Sequence, residues 1–211
     1  MERNDGLRRL LSLAPVYRGV QRLIGGDRAV AFVRDVVLRS GDDTAVVDIG
    51  CGTADMADHM SFRSYVGFDP NPSYVQQAGT RLTARCGDRA RVFVGSIGDA
   101  ATVDQLPGGC DLVMMVGVLH HLDDRLADEA LALAARLAGP TGRFASMDPG
   151  YADGQSKVAR FLASRDRGQH VRTADQLRDL VGRHFGSVEL TVRHDVLRMP
   201  YTHLAIDANN R

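Results

Sequence analysis

Residues 45–55 read AVVDIGCGTAD. The β-branched run Ala45-Val46-Val47 predicts a buried strand that passes through Asp48 into a glycine turn, Gly50-Cys51-Gly52. Glycine suits such a strand-to-helix corner for two reasons: it tolerates positive φ, and without a Cβ it lets a ligand lie against the backbone. The unpaired N–H groups of the following helix then face that ligand. A G-x-G turn alone could be an ordinary tight turn. The second signal is Asp69, which closes another apolar run, Tyr65-Val66-Gly67-Phe68. An acid ending the adjacent parallel strand is placed to accept both hydroxyls of a ribose. Two charge-assisted hydrogen bonds of roughly 1.5–3 kcal/mol each would select the nucleoside that stays bound. The pattern points to a nucleoside cofactor lying across the ends of two neighbouring strands.

Three blocks carry a wider likeness: VVDIGCGTAD, then VGFDPN at 66–71, then CDLVMMVGVLHHLDD at 110–124. In order and spacing they resemble the class I S-adenosylmethionine-dependent methyltransferases, and the likeness covers about residues 28–208. It implies an α/β, Rossmann-like, doubly wound seven-stranded sheet of strand order 3-2-1-4-5-7-6 with strand 7 antiparallel. It also implies S-adenosyl-L-methionine as cofactor, with Asp48 orienting the turn or the methionine ammonium, Gly50, Cys51 and Gly52 forming the turn, and Asp69 and Pro70 at the ribose. Ser96 and Ile97 would meet the adenine, and the backbone of Val116 and Gly117 the ammonium again. Two residues depart from the family pattern. Ala54 stands where many members carry a third glycine, and Ser96 where an acid often follows the third strand.

Composition sets the remaining bounds. A chain of 211 residues with 44% hydrophobic and 25% charged residues has the balance of a soluble globular domain, so residues 1–211 are read as one methyltransferase domain. The formal net charge of zero supplies no global attraction to nucleic acid or an anionic membrane, and neither partner is expected. Cys51, Cys86 and Cys110 are scattered and fit reduced thiols better than a disulfide framework or a zinc site. No metal is expected. MERNDGLRRL has no signal-peptide apolar core, and no apolar run is long enough to span a bilayer. A cytoplasmic enzyme is the expectation.

Along the chain, residues 3–24 have a broadly helical apolar spacing interrupted at Pro15 and closed by Gly25-Gly26. Residues 1–26 are therefore either a lid over the cofactor, with Tyr17 at its methionine end, or a helix packed on the sheet edge. Val30, Val33, Val36 and Val37 mark one face of the next helix. Pro70 and Pro72 open a helix over Ser73 to Arg85. Arg91 to Val94 and Asp111 to Val116 are strands, the latter apolar throughout, as a strand covered on both faces should be. Its exit carries His120 and His121, at the strand end where open parallel sheets bind ligands. Either histidine could take a proton from a substrate hydroxyl or amine, with His121 slightly favoured. Alternatively, one of them caps the helix or braces the turn.

Gly142 to Met147 is the fifth strand, and Asp148-Pro149-Gly150-Tyr151 leaves it toward the same crevice. Residues 151–173 carry a formal net +3, Lys157, Arg160, Arg165, Arg167 and Arg172 against Asp153 and Asp166. By resemblance this insertion is the substrate wall, touching substrate through Tyr151, Arg165, Arg167 and Arg172. Guanidinium forks suit carboxylate or phosphate, so the expected small-molecule substrate is anionic or carbonyl-bearing; a surface loop with internal Arg-Asp pairs is the alternative. Thr173 to Gln176 has capping-box spacing. Val188 to Arg198 and Tyr201 to Ala208 read as two strands joined by a tight Met199-Pro200 turn. The leading function is methyl transfer to a small molecule, an O-methylation of a biosynthetic intermediate. A cofactor-retaining cyclase or non-methylating binding protein, and a nicotinamide-dependent oxidoreductase, are the alternatives. Asp55 stands where the dinucleotide fingerprint needs a small residue, which counts against the oxidoreductase.

Overall fold

The computed structural model describes residues 26–166 and 168–210. Helix α1 (Gly26–Phe32) continues into a wider π-type turn over Val33–Leu38 and stops at Arg39, whose φ of 42° is left-handed. The widened turn buries Val33 and Val37 while Val36 stays half exposed at 50%, so the expected valine face is broken at one position. Strand β1 (Ala45–Ile49) leads through the glycine corner to a short 3₁₀ turn, Asp55–His59, then to β2 (Ser64–Asp69) and α2 (Pro72–Cys86). Asn71 caps α2, its side-chain oxygen accepting the Ser73 and Tyr74 N–H groups. Next come β3 (Ala90–Val94), one turn of α3 (Ala100–Val103), β4 (Leu112–Val116) and α4 (Asp124–Ala138). The chain finishes with β5 (Arg143–Pro149), α5 (Lys157–Ser164), α6 (Ala174–Gly182), β6 (Ser187–Arg193) and β7 (His203–Asn209).

These strands form one seven-stranded sheet in the order β3-β2-β1-β4-β5-β7-β6. Neighbours are parallel from β3 to β5, and β7 runs antiparallel to both β5 and β6. Alternation along each central strand divides the core. Val47, Ile49, Val113, Met115 and Phe144 pack on one face with Leu131 of α4 and Leu180 of α6. Val46, Leu112, Met114 and Ala145 pack on the other with Val33, Val37 and Leu82. Both faces are covered, so the carboxyl edge of the sheet is the opening where chemistry can sit. The Thr173 capping box forms with both of its bonds.

The hairpin differs from expectation. Its strands end at Arg193 and His203, and residues 194–202 leave the ladder, so Met199-Pro200 is not a tight turn between paired strands. The detour buries Val196 against the α1 side of the core and is tied by the His194 ring to the Thr202 hydroxyl at 3.0 Å. It also carries Tyr201 to the carboxyl edge of β5, where its hydroxyl donates to Asp166.

Candidate active site

The corner after β1 is built by hydrogen bonds from its amides. Gly50 and Cys51 donate to the Phe68 carbonyl at 2.9 and 3.0 Å, locking the turn to the end of β2. Gly52 N–H donates to Asp69 Oδ2 at 2.9 Å, and Asn71 N–H to Asp69 Oδ1 at 2.8 Å. Each carboxylate oxygen keeps a further lone pair, so Asp69 is aimed and still able to accept. Gly50 and Gly52 have φ of 72° and 55°, and a Cβ on Gly52 would meet nothing within 4 Å. Open space in front of a left-handed glycine beside an oriented carboxylate suits the sugar and amino-acid tail of a nucleoside. Ala54 takes φ of 53° without being glycine. Its carbonyl and that of Thr53 accept Arg81 Nη2 at 2.9 and 2.7 Å, which holds the strained corner.

Asp48 lies deeper, 3% exposed, accepting the Tyr65 hydroxyl at 2.6 Å. Burial pushes its carboxyl up to about 7, against the opposing hydrogen bond from Tyr65. Cys51 is mostly buried, and its thiol is pushed far up by burial and by the charges of Asp48 and Asp69. At the end of β3, the Ser96 amide bonds the Thr102 hydroxyl at 3.1 Å, Ser96 is exposed, and Ile97 packs against the core. Pro70 is exposed after Asp69, and Val116 and half-buried Gly117, with φ of 71°, close the end of β4.

The two histidines separate sharply. His120 is 8% exposed and His121 exposed, their rings 4.0 Å apart. His120 Nδ1 lies 2.8 Å from Asp148 Oδ1, which also accepts the His120 backbone N–H at 3.2 Å. Its Nε2 lies 3.3 Å from Asp166 Oδ1. Burial works against charge on this ring, but Asp148 and Asp166 outweigh it and hold the imidazole up at about 9. Burial would raise Asp166, yet His120, Tyr201 and the Gly168 amide hold it well below the usual carboxylate range. Gly168 presses on this ring so closely that a Cβ there would fall 2.1 Å from His120 Cδ2. Asp148, Asp166 and Tyr201 thus join the site, with the His203 ring 5.3 Å from that of Tyr201, although no motif marked them. The one signal was Asp148 at a strand's carboxyl end.

The basic residues of 151–173 are placed otherwise than a substrate fork requires. Arg172 is 8% exposed and donates to the carbonyls of Leu119, His170 and Leu122 and to Asp124 Oδ1. It braces the histidine turn from behind. Arg165 is exposed with its guanidinium 5.4 Å from the Phe161 ring centroid. Tyr151 bridges to Thr173 and lies under Arg160 at 5.1 Å, so the two ends of the insertion sit side by side. Tyr17 and Arg167 lie outside the described residues. Among the described residues, no group of three or more His, Cys, Asp or Glu could hold a metal ion, and no helix is long and apolar enough to cross a membrane.

A glycine corner on Asp69, at the carboxyl edge of a sheet ordered 3-2-1-4-5-7-6, defines a class. The chain matches the methyltransferase-domain family over residues 20–186 and belongs to it, as a class I S-adenosylmethionine-dependent methyltransferase. This sets aside the nicotinamide reading of the same turn. An uncharacterised methyltransferase of Geobacillus kaustophilus, GK2543, is 27% identical over 165 residues, covering 77% of this chain and 70% of that one. The Bacillus subtilis YcgJ protein superposes with a TM-score of 0.66 at 12% identity, covering 88% of this chain and 99% of that one. Mitomycin 7-O-methyltransferase MmcR superposes at 0.69 with 17% identity over 98% of this chain. The chain spans 58% of MmcR's length.

Proposed function

We propose that this methyltransferase acts on a small molecule, an O-methyl transfer to a biosynthetic intermediate. The observation that carries the cofactor reading is the Gly52 N–H bond to Asp69 Oδ2 with open space in front of Gly52. Bound S-adenosylmethionine supplies a methyl group already activated on a sulfonium sulfur. Asp69, beside Pro70, would accept the ribose hydroxyls, and Gly50, Cys51 and Gly52 would admit the amino-acid tail. Asp48 would fix the turn through Tyr65. Val116 and Gly117 would offer backbone to the ammonium, and Ser96 and Ile97 an edge to the adenine. The chain's remaining task is to hold the acceptor in line, a positioning effect that can contribute up to roughly 7–11 kcal/mol.

His121, exposed at the mouth of the turn, is the candidate base for a hydroxyl acceptor, whereas His120 has a carboxylate at each ring nitrogen and positions the turn. Residues 151–173 form the acceptor-side wall through Tyr151 and the segment against His120. The small-molecule reading is supported by the single domain-sized sheet and by the fold shared with MmcR, which acts as a mitomycin 7-O-methyltransferase. Incubation with S-adenosylmethionine and a panel of hydroxylated small molecules should release S-adenosylhomocysteine together with a methyl ether. His121→Ala should lower kcat by about 10²–10⁴-fold with cofactor affinity retained. Methyl transfer only to protein or RNA would sink the small-molecule reading.

A further inference from the structure

Arg81 and Arg85 on α2, and Arg89 in the turn after it, recur every four residues, and each donates to the connection between β1 and β2. Arg81 Nη2 reaches the Thr53 and Ala54 carbonyls at 2.7 and 2.9 Å, Arg85 Nη2 that of Ala57 at 2.5 Å, and Arg89 Nη1 that of Phe62 at 3.2 Å. Asp58 ties the first two together, 2.6 Å from Arg81 Nε and 3.0 Å from Arg85 Nη1. Of the three, Arg81 is the one that reaches the strained residue. Among the described residues Ala54 and Arg39 are the non-glycines at positive φ. Ala54, with φ of 53° and ψ of 36°, is 1% exposed and lies in the core with Ala57 and Met60. The position gains a buried methyl, and it meets the crowding of Cβ against the following carbonyl that left-handed backbone imposes.

The two carbonyls that Arg81 takes belong to the peptide planes on either side of the Ala54 Cα. The relative orientation of those planes is what φ and ψ of that residue set. One nitrogen bonded to both carbonyls therefore fixes the left-handed form. The Ala54 N–H donates to the Cys51 carbonyl at 2.7 Å and wraps the chain around Gly52, whose own N–H holds Asp69 Oδ2. A continuous run of hydrogen bonds leads from the guanidinium to the carboxylate that would accept the ribose hydroxyls.

We propose that Arg81 is a positioning residue for the cofactor: by bridging the peptide planes around Ala54 it holds the corner in the form that admits S-adenosylmethionine. This rests on the methyltransferase reading above. Without the bridge an alanine relaxes toward negative φ, the two carbonyls turn apart, and the Gly52 N–H is re-aimed away from Asp69. A glycine at the same position takes positive φ freely and has no need of the bridge. Arg85 grips the same connection one helical turn away, beyond the left-handed residue, and has no part in this.

Titration calorimetry of S-adenosylhomocysteine into the full chain, with melting of each variant alongside, tests the assignment. Arg81→Met keeps much of the packed stem and removes the donors. It should weaken S-adenosylhomocysteine at least about tenfold, or about 1.4 kcal/mol, the size of the left-handed penalty. Adding Ala54→Gly to Arg81→Met should restore affinity to within about threefold of the wild type. Arg85→Met should lower the melting temperature by a few degrees and leave affinity within about twofold. Arg81→Lys keeps a charge beside Asp55 and Asp58 but not the planar fork. It should fall between wild type and Arg81→Met, and it carries the same test with Ala54→Gly if Arg81→Met does not fold. Wild-type affinity in both Arg81 variants, a loss that Ala54→Gly fails to recover, or an equal loss in Arg85→Met would overturn the proposal. Absence of S-adenosylhomocysteine binding by the wild type would instead overturn the methyltransferase reading beneath it.

Discussion

His120 shows how one residue of a doublet acquires a role its neighbour does not share. With Asp148 at Nδ1 and Asp166 at Nε2, its imidazole is raised from an ordinary 6.5 to about 9. A group whose pKa is higher in the folded state stabilises fully below its unfolded value, and that stability is lost as pH rises through the folded value. His120 should therefore contribute on the order of 3 kcal/mol near pH 6.5, declining toward pH 9. Asp48, raised to about 7, gives up its share between about 3.8 and 7. His203, lowered to about 4, acts only on the acid side of 6.5. Melting measured from pH 7.5 to 9.5 reads His120 by difference from a variant, because the raised Cys51 and Cys110 thiols act alike in both proteins. About 2 kcal/mol of the His120 contribution disappears between pH 7.5 and 9.5, so the wild type should lose roughly 4–8 °C more than His120→Asn across that range, and parallel curves would show that the carboxylate clamp contributes nothing. The corner glycines separate two costs in the same way. Gly50→Ala sets a Cβ 2.9 Å from Val118 Cγ2 at positive φ and should lower stability by about 1–3 kcal/mol. Gly52→Ala meets open space and should cost only about 1 kcal/mol, while weakening S-adenosylhomocysteine at least about tenfold by filling the cradle. Equal loss of affinity without the difference in melting would contradict that division.

At the scale of elements, the insertion between β5 and α6 braces the histidine turn. Its ends meet at the Tyr151–Thr173 bridge, and Arg172 reaches back to three carbonyls and Asp124 around the histidine turn. Removing that guanidinium leaves buried carbonyls unmatched at about 1–3 kcal/mol each. Arg172→Ala should thus lower the melting temperature by roughly 5 °C or more, whereas Arg165→Ala, exposed over Phe161, should leave it unchanged. If both variants melt like the wild type and only Arg172→Ala raises KM, Arg172 is a substrate residue after all. Sequence alone could not separate these arginines, because composition reports charge and not direction. The same blindness affected the hairpin. Val196 is apolar and reads as strand, but its burial pulls residues 194–202 out of the ladder, and only tertiary packing decides that.

For the whole molecule, the legible part was whatever depends on chain-local rules. Alternating burial on two faces, turns at Gly50-Cys51-Gly52 and the capping box at Thr173 are set within a few residues, and the family resemblance supplied the strand order. The cluster around His120 was not legible, because Asp148, Asp166, Tyr201 and His203 converge from β5, the insertion, the hairpin loop and β7 with no fixed spacing. The cofactor side, in contrast, reduces to one carboxylate and one corner. Titration calorimetry of S-adenosylhomocysteine into the wild type and Asp69→Ala tests it most directly. The wild type should bind, and Asp69→Ala, without two charge-assisted bonds of roughly 1.5–3 kcal/mol each, should bind at least about a hundredfold more weakly. Binding of equal strength by both proteins, or heat from neither, would contradict the account.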